Sequence, residues 1–401
     1  MLGRVYSYIN SAKKILDQYS GEEPFSLFIK NFFRQNKKYG SSDRKQITNL
    51  CYCFFRLGKA ARDLPFEERI LLSLFLCSQE SNEILNELKP EFNEKINLSL
   101  DEKLAIGNRQ WAIGNRQLAM GDIFPWQDQL SKEIDKKAFI LSHLQQPSLF
   151  LRLRPGHEEA VKNKLSKAGI PFDVIDGFCL ELPNSSKLDE VIELDTEVVI
   201  QDYNSQQTGE LIKTALPDHF KDKTKQVSVW DCCAGSGGKS ILAYDLIPNI
   251  TLTVSDIRES ILINLKKRFQ KAGIKKLKSF VDDFSTHHFL LTTHQYDLII
   301  LDAPCTGSGT WSRTPEQLYY FKTEKIDYYS SVQKKIASNV IPYLTEDGAL
   351  VYITCSVFKE ENEDIAEYIQ KEFQLKLNKT QLLKGYDKNA DSMFGAVFKK
   401  C

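Results

Sequence analysis

Apolar side chains recur at helical spacing in the first third of the chain. Hydrophobic residues stand three or four positions apart over residues 25–33 and again over residues 47–55, a pattern typical of amphipathic helices. Between these segments Gly40 precedes Ser41 and Asp43. Because glycine often ends a helix and Ser or Asp often caps the next one, this sequence predicts a helix boundary. We predict a helical domain over residues 1–145.

The period of the pattern changes to two after residue 146. Residues 149–153 alternate like a strand, and residues 158–168 have a helical pattern. Two further short strands flank Asp176 and Gly177, a pair that favours a hairpin turn. The resulting β-α-β-β-α-β-like order predicts a small α/β module, similar to RNA-recognition modules, over residues 146–202.

From residue 203 to residue 401, short apolar strands alternate with helical segments, which predicts a doubly wound, mostly parallel sheet of the Rossmann-like α/β class. The strands are predicted at residues 227–230, 251–254, 277–281, 296–301 and 349–353, and the main helices at residues 239–246, 260–272, 326–344 and 362–372. Because ligands of such sheets bind at the carboxyl ends of the strands, the residues that follow each strand are the candidates for chemistry.

Composition narrows the class of protein only slightly. The 401 residues include 53 basic and 53 acidic side chains, so net charge does not identify a nucleic-acid binder. Basic residues are concentrated between residues 258 and 278, either as a solvated helix face or as a surface for phosphates. Nine cysteines without a C-x-x-C pair argue against a zinc site and a disulfide framework, so we expect no metal. A signal peptide and a membrane span are absent from the pattern, and we expect a cytoplasmic protein without membrane contact.

A glycine-rich loop follows the first strand of the predicted sheet and reads D-C-C-A-G-S-G-G-K-S from Asp231 to Ser240. It lacks the first glycine of a P-loop and has the wrong spacing for a dinucleotide fingerprint. Asp256 ends the next strand, where a carboxylate is placed to bind ribose hydroxyls. Asp283 follows the third strand and is suited to an adenine amino group. Together these three strand ends predict a site for an adenosine-bearing ligand.

Two cysteines follow the last two predicted parallel strands. Cys305 lies in the segment D-A-P-C, which begins at Asp302, and Cys355 lies in T-C-S. Neighbouring strands would bring both thiols to one site, which suggests nucleophilic catalysis. A thiolate that attacks carbon 6 of cytosine makes carbon 5 nucleophilic enough to accept a methyl group. Asp302 is suited to stabilise ring nitrogen 3, and the positive charge of Lys239 is suited to lower a cysteine pKa.

These motifs resemble those of the Sun/Nop family of RNA cytosine-5 methyltransferases over residues 147–399. The family's loop D-x-C-A-A-P-G-G-K-T matches here with departures at Gly235 and Ser236, whereas D-A-P-C and T-C-S are intact. Weaker matches are R-x-P-E from Arg313, Q-D-x-x-S-Q from Gln201, and the closing D-S-M-F-G-A-V-F-K from Asp391. Because the closing segment ends near residue 399, we expect no RNA-binding domain after it.

The resemblance implies an S-adenosylmethionine-dependent enzyme. It implies that Cys355 is the nucleophile and that Cys305 assists breakdown of the covalent adduct. The residues it implies for the S-adenosylmethionine site are Cys233, Ala234, Gly235, Ser236, Gly237, Gly238, Lys239, Asp256, Asp283 and Asp302. The N-terminal G-S-S-D-R-K-Q-I segment also resembles the NusB-like region of bacterial ribosomal-RNA members. We therefore expect ribosomal RNA as the substrate first and transfer RNA second.

Two other hypotheses remain open. In a DNA cytosine-5 methyltransferase the proline-cysteine motif supplies the nucleophile, which would be Cys305. A catalytically silent RNA-binding or assembly protein would also keep the fold, and the altered glycine loop favours it. The sequence predicts neither the oligomeric state nor a role for the tandem A-I-G-N-R-Q repeat at residues 105–117.

Overall fold

The computed structural model describes residues 2–110, 120–216, 225–286 and 294–400. Its internal contacts divide the chain into two units. Unit 1 comprises residues 1–128, 135–146 and 311–322, and unit 2 comprises residues 129–134, 147–310 and 323–401. Within the described ranges, no helix combines the length and the apolar composition that a bilayer crossing needs.

Helices build the N-terminal part of unit 1. They are α1 (Leu2–Gln18), α2 (Phe25–Gln35), α3 (Ser41–Arg56), α4 (Phe66–Cys77), α5 (Glu83–Leu88), α6 (Pro90–Asn93), α7 (Leu100–Gln110), α8 (Met120–Ile123) and α9 (Lys136–Ser142). The predicted apolar positions of α2 and α3 are buried, among them Ile29 and Phe55, except Phe28, which is half-buried. Helix α4 is buried almost all round, as expected from its continuous apolar run. The first copy of the tandem repeat ends α7, and the second copy, residues 112–117, lies outside the described residues.

Unit 2 begins with a four-stranded antiparallel sheet. Its elements are β1 (Leu149–Leu153), α10 (Glu158–Lys167), β2 (Asp173–Asp176), β3 (Cys179–Leu182) and β4 (Val198–Ile200), and the strand order is β2-β3-β1-β4. The predicted second helix of this module does not form. Residues 183–197 make turns instead, because Pro183 and the polar run that follows it interrupt a helical pattern. The prediction of a β-α-β-β-α-β order was therefore wrong in that element.

A seven-stranded sheet forms the rest of unit 2, with the order β10-β11-β9-β8-β5-β6-β7. The strands are β5 (Val227–Asp231), β6 (Ile250–Asp256), β7 (Leu277–Val281), β8 (Tyr296–Asp302), β9 (Leu344–Thr354), β10 (Lys376–Leu383) and β11 (Met393–Lys399). The first five are parallel neighbours, whereas β11 pairs antiparallel with both β9 and β10. The Rossmann-like, mostly parallel fold is confirmed, and the sequence pattern missed β10 and β11.

Helices cover both faces of this sheet. They are α11 (Tyr203–Ala215), α12 (Gly238–Leu246), α13 (Glu259–Lys271), α15 (Glu324–Val340) and α16 (Glu363–Phe373). Alternation along β5 shows the two layers, because Val229 packs in the core under α11, α12 and α13 while Trp230 packs in the core under α15 and α16. Helix α14 (Pro315–Tyr320) lies between β8 and α15 in sequence.

The α14 segment packs within unit 1, although the sequence pattern predicted it to be part of a domain over residues 203–401. The Tyr320 hydroxyl donates a hydrogen bond to the Tyr19 carbonyl at 2.7 Å, and the buried Glu316 accepts one from the Phe25 backbone nitrogen at 3.2 Å. Trp311 is buried against Phe321. The predicted domain limits of 1–145, 146–202 and 203–401 remain predictions, because they refer to modules in the sequence pattern, whereas the two units are defined by contacts.

The four-stranded sheet is joined to the larger sheet by a buried ion pair. Asp245 on α12 accepts hydrogen bonds from Arg152 at 2.6 Å and from Arg154 at 2.7 Å. The three side chains are almost fully buried, and the single carboxylate offsets part of the charge of the two guanidinium groups where water does not reach. Both sheets therefore belong to one compact unit.

Candidate active site

Five strand ends meet at one edge of the large sheet. Because β9, β8, β5, β6 and β7 are parallel neighbours in that order, their carboxyl ends lie side by side. The residues that follow these strands border a cavity of about 580 Å³, which is within the usual range for small-molecule sites. The residues predicted from the sequence that line it are Cys233, Gly235, Asp256, Asp283, Asp302, Cys305 and Cys355.

The glycine loop after β5 is shaped by backbone geometry. Gly237 has φ of +83°, and a Cβ atom there would stand 2.6 Å from the Phe269 ring, so only glycine fits without a shift of its neighbours. Gly235 also has positive φ, at +52°, but nothing lies within 4 Å of a Cβ placed there. The Gly235 departure from the family loop therefore causes no crowding. Ala234, Ser236, Gly237, Gly238 and Lys239 build the loop and the start of α12 but are not part of the cavity wall.

Asp231 anchors the start of this loop from inside the core. It is fully buried, and its Oδ2 accepts a hydrogen bond from Ser240 Oγ at 2.5 Å, while Oδ1 has no partner among the described residues. Burial raises the pKa of Asp231 to about 7. The sequence analysis gave Asp231 no role, because an aspartate at a strand end does not show whether its side chain turns inward.

Asp256 holds the glycine loop and an arginine at the end of β6. Its Oδ2 accepts a hydrogen bond from the Gly235 nitrogen at 3.0 Å. Its Oδ1 accepts hydrogen bonds from the Arg258 backbone nitrogen at 2.9 Å and from Arg258 Nε at 3.0 Å. The Arg258 guanidinium thus stands at the carboxylate that the sequence assigns to ribose hydroxyls.

Two neighbouring carboxylates line the cavity after β7. Asp283 Oδ1 accepts hydrogen bonds from the Ser285 nitrogen and hydroxyl at 2.9 and 2.6 Å. Asp282 Oδ1 accepts one from the Asp283 nitrogen at 2.7 Å, and its buried Oδ2 has no partner within the described ranges. Both side chains reach the cavity wall, so the preference for Asp283 remains a prediction.

Lys239 and Asp302 form an ion pair next to the cysteines. Lys239 Nζ lies 2.7 Å from Asp302 Oδ2. Burial lowers the pKa of Lys239, but the negative charge and the hydrogen bond of Asp302, together with Cys355, raise it above the usual lysine value. The ammonium group is therefore positively charged and close enough to Cys355 to interact with it, and its role in activating a cysteine remains a prediction.

The two cysteine sulfurs are in contact. Cys305 Sγ lies 3.3 Å from Cys355 Sγ, as expected from the adjacent ends of β8 and β9. The hydrogen bond to Cys355, burial and the negative charge of Glu361 raise the pKa of Cys305 well above its usual value. Cys305 is thus a neutral thiol, and Cys355 is the cysteine that interacts with the charge of Lys239.

Several residues of the site were missed by the sequence analysis. Glu361 is fully buried and accepts hydrogen bonds from Thr306, which follows Cys305, and from Ser356, which follows Cys355. Tyr328 and Tyr329 on α15 line the cavity, and the Tyr328 side chain is 63% exposed. Tyr328 and Tyr329 fit an ordinary helical pattern, and Glu361 lies in a run of acidic residues before α16. Both patterns are the same as those of a surface helix, so the sequence did not mark these residues as part of a site.

The basic segment between residues 258 and 278 divides into two groups. Arg258 pairs with Asp256, and Arg268 pairs with Asp195 at 2.6 Å. The lysines are exposed: Lys266, Lys267, Lys271, Lys275, Lys276 and Lys278. A phosphate-facing role for these lysines remains a prediction.

S-adenosylmethionine is the cofactor that the family resemblance implies, and the residues present fit it. Asp282 Oδ2, which has no partner in the described part of the chain, supplies a buried acceptor for an amino group, and the carboxylate of Asp256 supplies one for hydroxyl groups. Gly235 leaves open space at the loop. In the part of the chain that the structure describes, no group of three or more His, Cys, Asp or Glu residues is arranged to hold a metal ion.

Known proteins resemble the part of the chain that forms this cavity. Residues 219–395 match the family described as 16S rRNA methyltransferase RsmB/F. A ribosomal RNA small subunit methyltransferase B from Photorhabdus laumondii is 28% identical over 185 residues, which are 46% of this chain and 41% of that protein. The aligned part thus spans less than half of that relative.

Two solved structures share the fold. The crystal structure of PH0851 has a TM-score of 0.67 and 18% identity, covering 94% of this chain and 95% of that one. The structure of NSun6 from Pyrococcus horikoshii with SFG has a TM-score of 0.57 and 14% identity, covering 69% of this chain and 97% of that one. At these identities the likeness establishes the fold alone. The match over residues 219–395, together with the motifs at the strand ends, makes this part of the chain similar to the RsmB/F methyltransferases of the Sun/Nop group.

Proposed function

We propose that this chain is an S-adenosylmethionine-dependent RNA methyltransferase that forms 5-methylcytosine, and that its substrate is ribosomal RNA of the small subunit. The contact of Cys305 and Cys355 at 3.3 Å, beside the Lys239–Asp302 pair, carries the proposal. The RsmB/F match and the relative named for the small ribosomal subunit support the substrate. Such a substrate places the protein in the cytoplasm.

Cys355 is the nucleophile in this proposal, because the positively charged Lys239 interacts with it, whereas the pKa of Cys305 is raised. The sulfur bonds to carbon 6 of an unpaired cytosine, and the electron pair of the carbon 5–carbon 6 double bond moves toward carbon 5 and the ring. The Asp302 carboxylate is placed beside ring nitrogen 3, where it favours the protonated form. S-adenosylmethionine supplies the methyl group that carbon 5 then takes.

Cys305 acts after methyl transfer. Loss of the carbon 5 proton to a base restores the double bond while the bond between carbon 6 and Cys355 breaks. The neutral Cys305 thiol, in contact with the departing sulfur, donates a hydrogen bond to the thiolate that forms. The two cysteines thus have different tasks because their neighbours differ in charge.

The test is methyl transfer from labelled S-adenosylmethionine to small-subunit ribosomal RNA, transfer RNA and DNA, followed by mass spectrometry of the nucleosides. We expect 5-methylcytosine in ribosomal RNA with the wild type and with Cys179→Ala, a cysteine of the small sheet. Cys355→Ala should give no product and no adduct, and Cys305→Ala should accumulate a covalent protein–RNA adduct.

Other results would contradict the proposal in defined ways. Methylation of DNA alone, or loss of the adduct in Cys305→Ala, would make Cys305 the nucleophile of a DNA-type enzyme. Product in transfer RNA alone would correct the substrate. No product on any nucleic acid, with S-adenosylhomocysteine still bound, would favour a silent RNA-binding protein.

A further inference from the structure

Glu361 lies at the centre of a buried network between the two cysteine loops. Its side chain is fully buried just before α16, and the sequence motifs assign it no task. Glu361 Oε1 accepts hydrogen bonds from the Thr306 backbone nitrogen at 2.8 Å and from Gln333 Nε2 at 3.3 Å. Its Oε2 accepts hydrogen bonds from Thr306 Oγ1 at 2.6 Å and from the Ser356 hydroxyl.

These partners are the direct neighbours of the two sulfurs. Thr306 follows Cys305, and Ser356 follows Cys355, so one carboxylate bridges both loops. Gln333 also donates a hydrogen bond to the Pro304 carbonyl at 2.9 Å, which ties α15 to the other side of Cys305. The network therefore holds the residues on both sides of Cys305 and the residue that follows Cys355.

We propose that Glu361 is a positioning residue, whose buried carboxylate holds the loops after β8 and β9 together and so sets the separation of the Cys305 and Cys355 sulfurs. The importance of this separation for catalysis rests on the proposed function. The geometric content of the inference, a fixed pair of thiols, stands independently of the reaction. A shift of about 1 Å between reacting groups lowers a rate by about 100-fold, so this separation matters for turnover.

The charge of Glu361 supports the same assignment. Burial raises the pKa of Glu361, and the hydrogen bonds from Ser356, Thr306 and Gln333 oppose that rise. The four groups of these three residues that bond to its side chain all donate, which matches an ionised carboxylate because that group only accepts. The negative charge contributes to the raised pKa of Cys305. The other titratable groups near the two cysteines are Lys239, Asp302, Tyr329 and Tyr352.

Three substitutions separate position from charge. Glu361→Ala removes the bridge. Glu361→Gln keeps it, because the amide oxygen still accepts from the two N–H groups while the Thr306 and Ser356 hydroxyls rotate to accept from the amide NH₂. Glu363→Ala is the matched control, since Glu363 is a half-buried glutamate two residues away that bonds Ser131 and neither cysteine loop.

The first measurement is the rate at which diamide, which takes two hydrogen atoms from a thiol pair, closes the Cys305–Cys355 disulfide, followed by mass spectrometry. We expect fast closure in the wild type, Glu361→Gln and Glu363→Ala, and closure slowed at least tenfold in Glu361→Ala. Equal closure in all four proteins, or equal slowing in both alanine variants, would overturn the positioning role.

The second measurement is turnover on RNA together with binding of S-adenosylhomocysteine. Glu361→Ala should lower kcat by about 100-fold with cofactor affinity and KM unchanged, and Glu361→Gln should restore most of kcat. Glu361→Gln should also shift the alkylation profile of Cys305 to lower pH, because a negative charge is gone. If Glu361→Ala fails to fold, the double variant Thr306→Val with Ser356→Ala removes both hydroxyl donors to Glu361 Oε2, and unchanged closure and kcat there would refute the bridge.

The two proposals fail separately. If even the wild type methylates no RNA but Glu361→Ala alone slows disulfide closure, the proposed function is wrong and the positioning role stands. If the wild type methylates RNA and Glu361→Ala keeps both its kcat and its closure rate, the positioning role is wrong and the proposed function stands.

Discussion

Substitution of Asp231 by asparagine should change how the stability of the protein depends on pH. Asp231 is fully buried at the end of β5, and among the described residues its side chain accepts a hydrogen bond only from Ser240. Burial raises the pKa of Asp231 from 3.8 to about 7. The folded state therefore keeps a proton on this group at pH values where the unfolded chain has lost it.

The direction and size of the effect follow from linkage. Between pH 4 and pH 7 the folded state binds more protons than the unfolded state, so stability falls as pH rises through this window. Each unit contributes about 1.4 kcal/mol, which gives a loss of about 4 kcal/mol across the window. Asparagine has no proton to lose, so Asp231→Asn removes this dependence while its oxygen still accepts from Ser240.

The assay is urea unfolding of the wild type and Asp231→Asn at half-unit steps from pH 4.5 to pH 8. The difference in free energy of unfolding, variant minus wild type, should rise by about 3 to 4 kcal/mol between the ends of this range and level off above pH 7. A difference that stays constant within about 1 kcal/mol would show that Asp231 is ionised in the folded protein, and the reasoning from burial would be refuted.

Two further predictions concern the glycine loop and the Asp256 carboxylate. Gly237→Ala should lower the free energy of unfolding by about 1 to 3 kcal/mol, because the new Cβ would collide with Phe269 at a position of positive φ. Gly235→Ala has open space around it and should lower the free energy of unfolding by about 1 kcal/mol. Thermal unfolding compares the two variants, and equal losses would contradict the packing argument. Arg258→Ala should strengthen binding of S-adenosylhomocysteine by up to about fivefold, because the exposed guanidinium no longer competes for the Asp256 carboxylate; calorimetry measures it, and weaker binding would mean that Arg258 assists the ligand.

Much of the catalytic sheet could be predicted because its strands are buried on both faces. Residues 227–231 and 296–302 are nearly continuous apolar runs that end in an aspartate, and such runs between helices have few other solutions. The same logic brought Cys305 and Cys355 together, since parallel neighbours share an edge. Strands β10 and β11 were missed because antiparallel pairs after a last helix carry no crossover pattern.

Side-chain direction explains what the sequence could not provide. Glu361 and Glu363 belong to one acidic run at the start of a helix, a pattern typical of N-terminal acids that face solvent. Only the fold turns Glu361 toward the cysteine loops. In the same way Asp256 lines the cavity and its assignment to ribose hydroxyls remains a prediction, whereas its pairing with Arg258 depends on a rotamer that the sequence does not determine.

The membership of residues 311–322 in unit 1 has a consequence for synthesis. The aromatic core around Tyr19 and Phe25 is completed by Tyr320 and Glu316, which leave the ribosome long after residue 146. At about 5 to 20 residues per second, that interval is on the order of ten seconds or more. During this time the nascent helices expose apolar surface, so a holding chaperone should bind chains that end before residue 311 and release those that extend past residue 322.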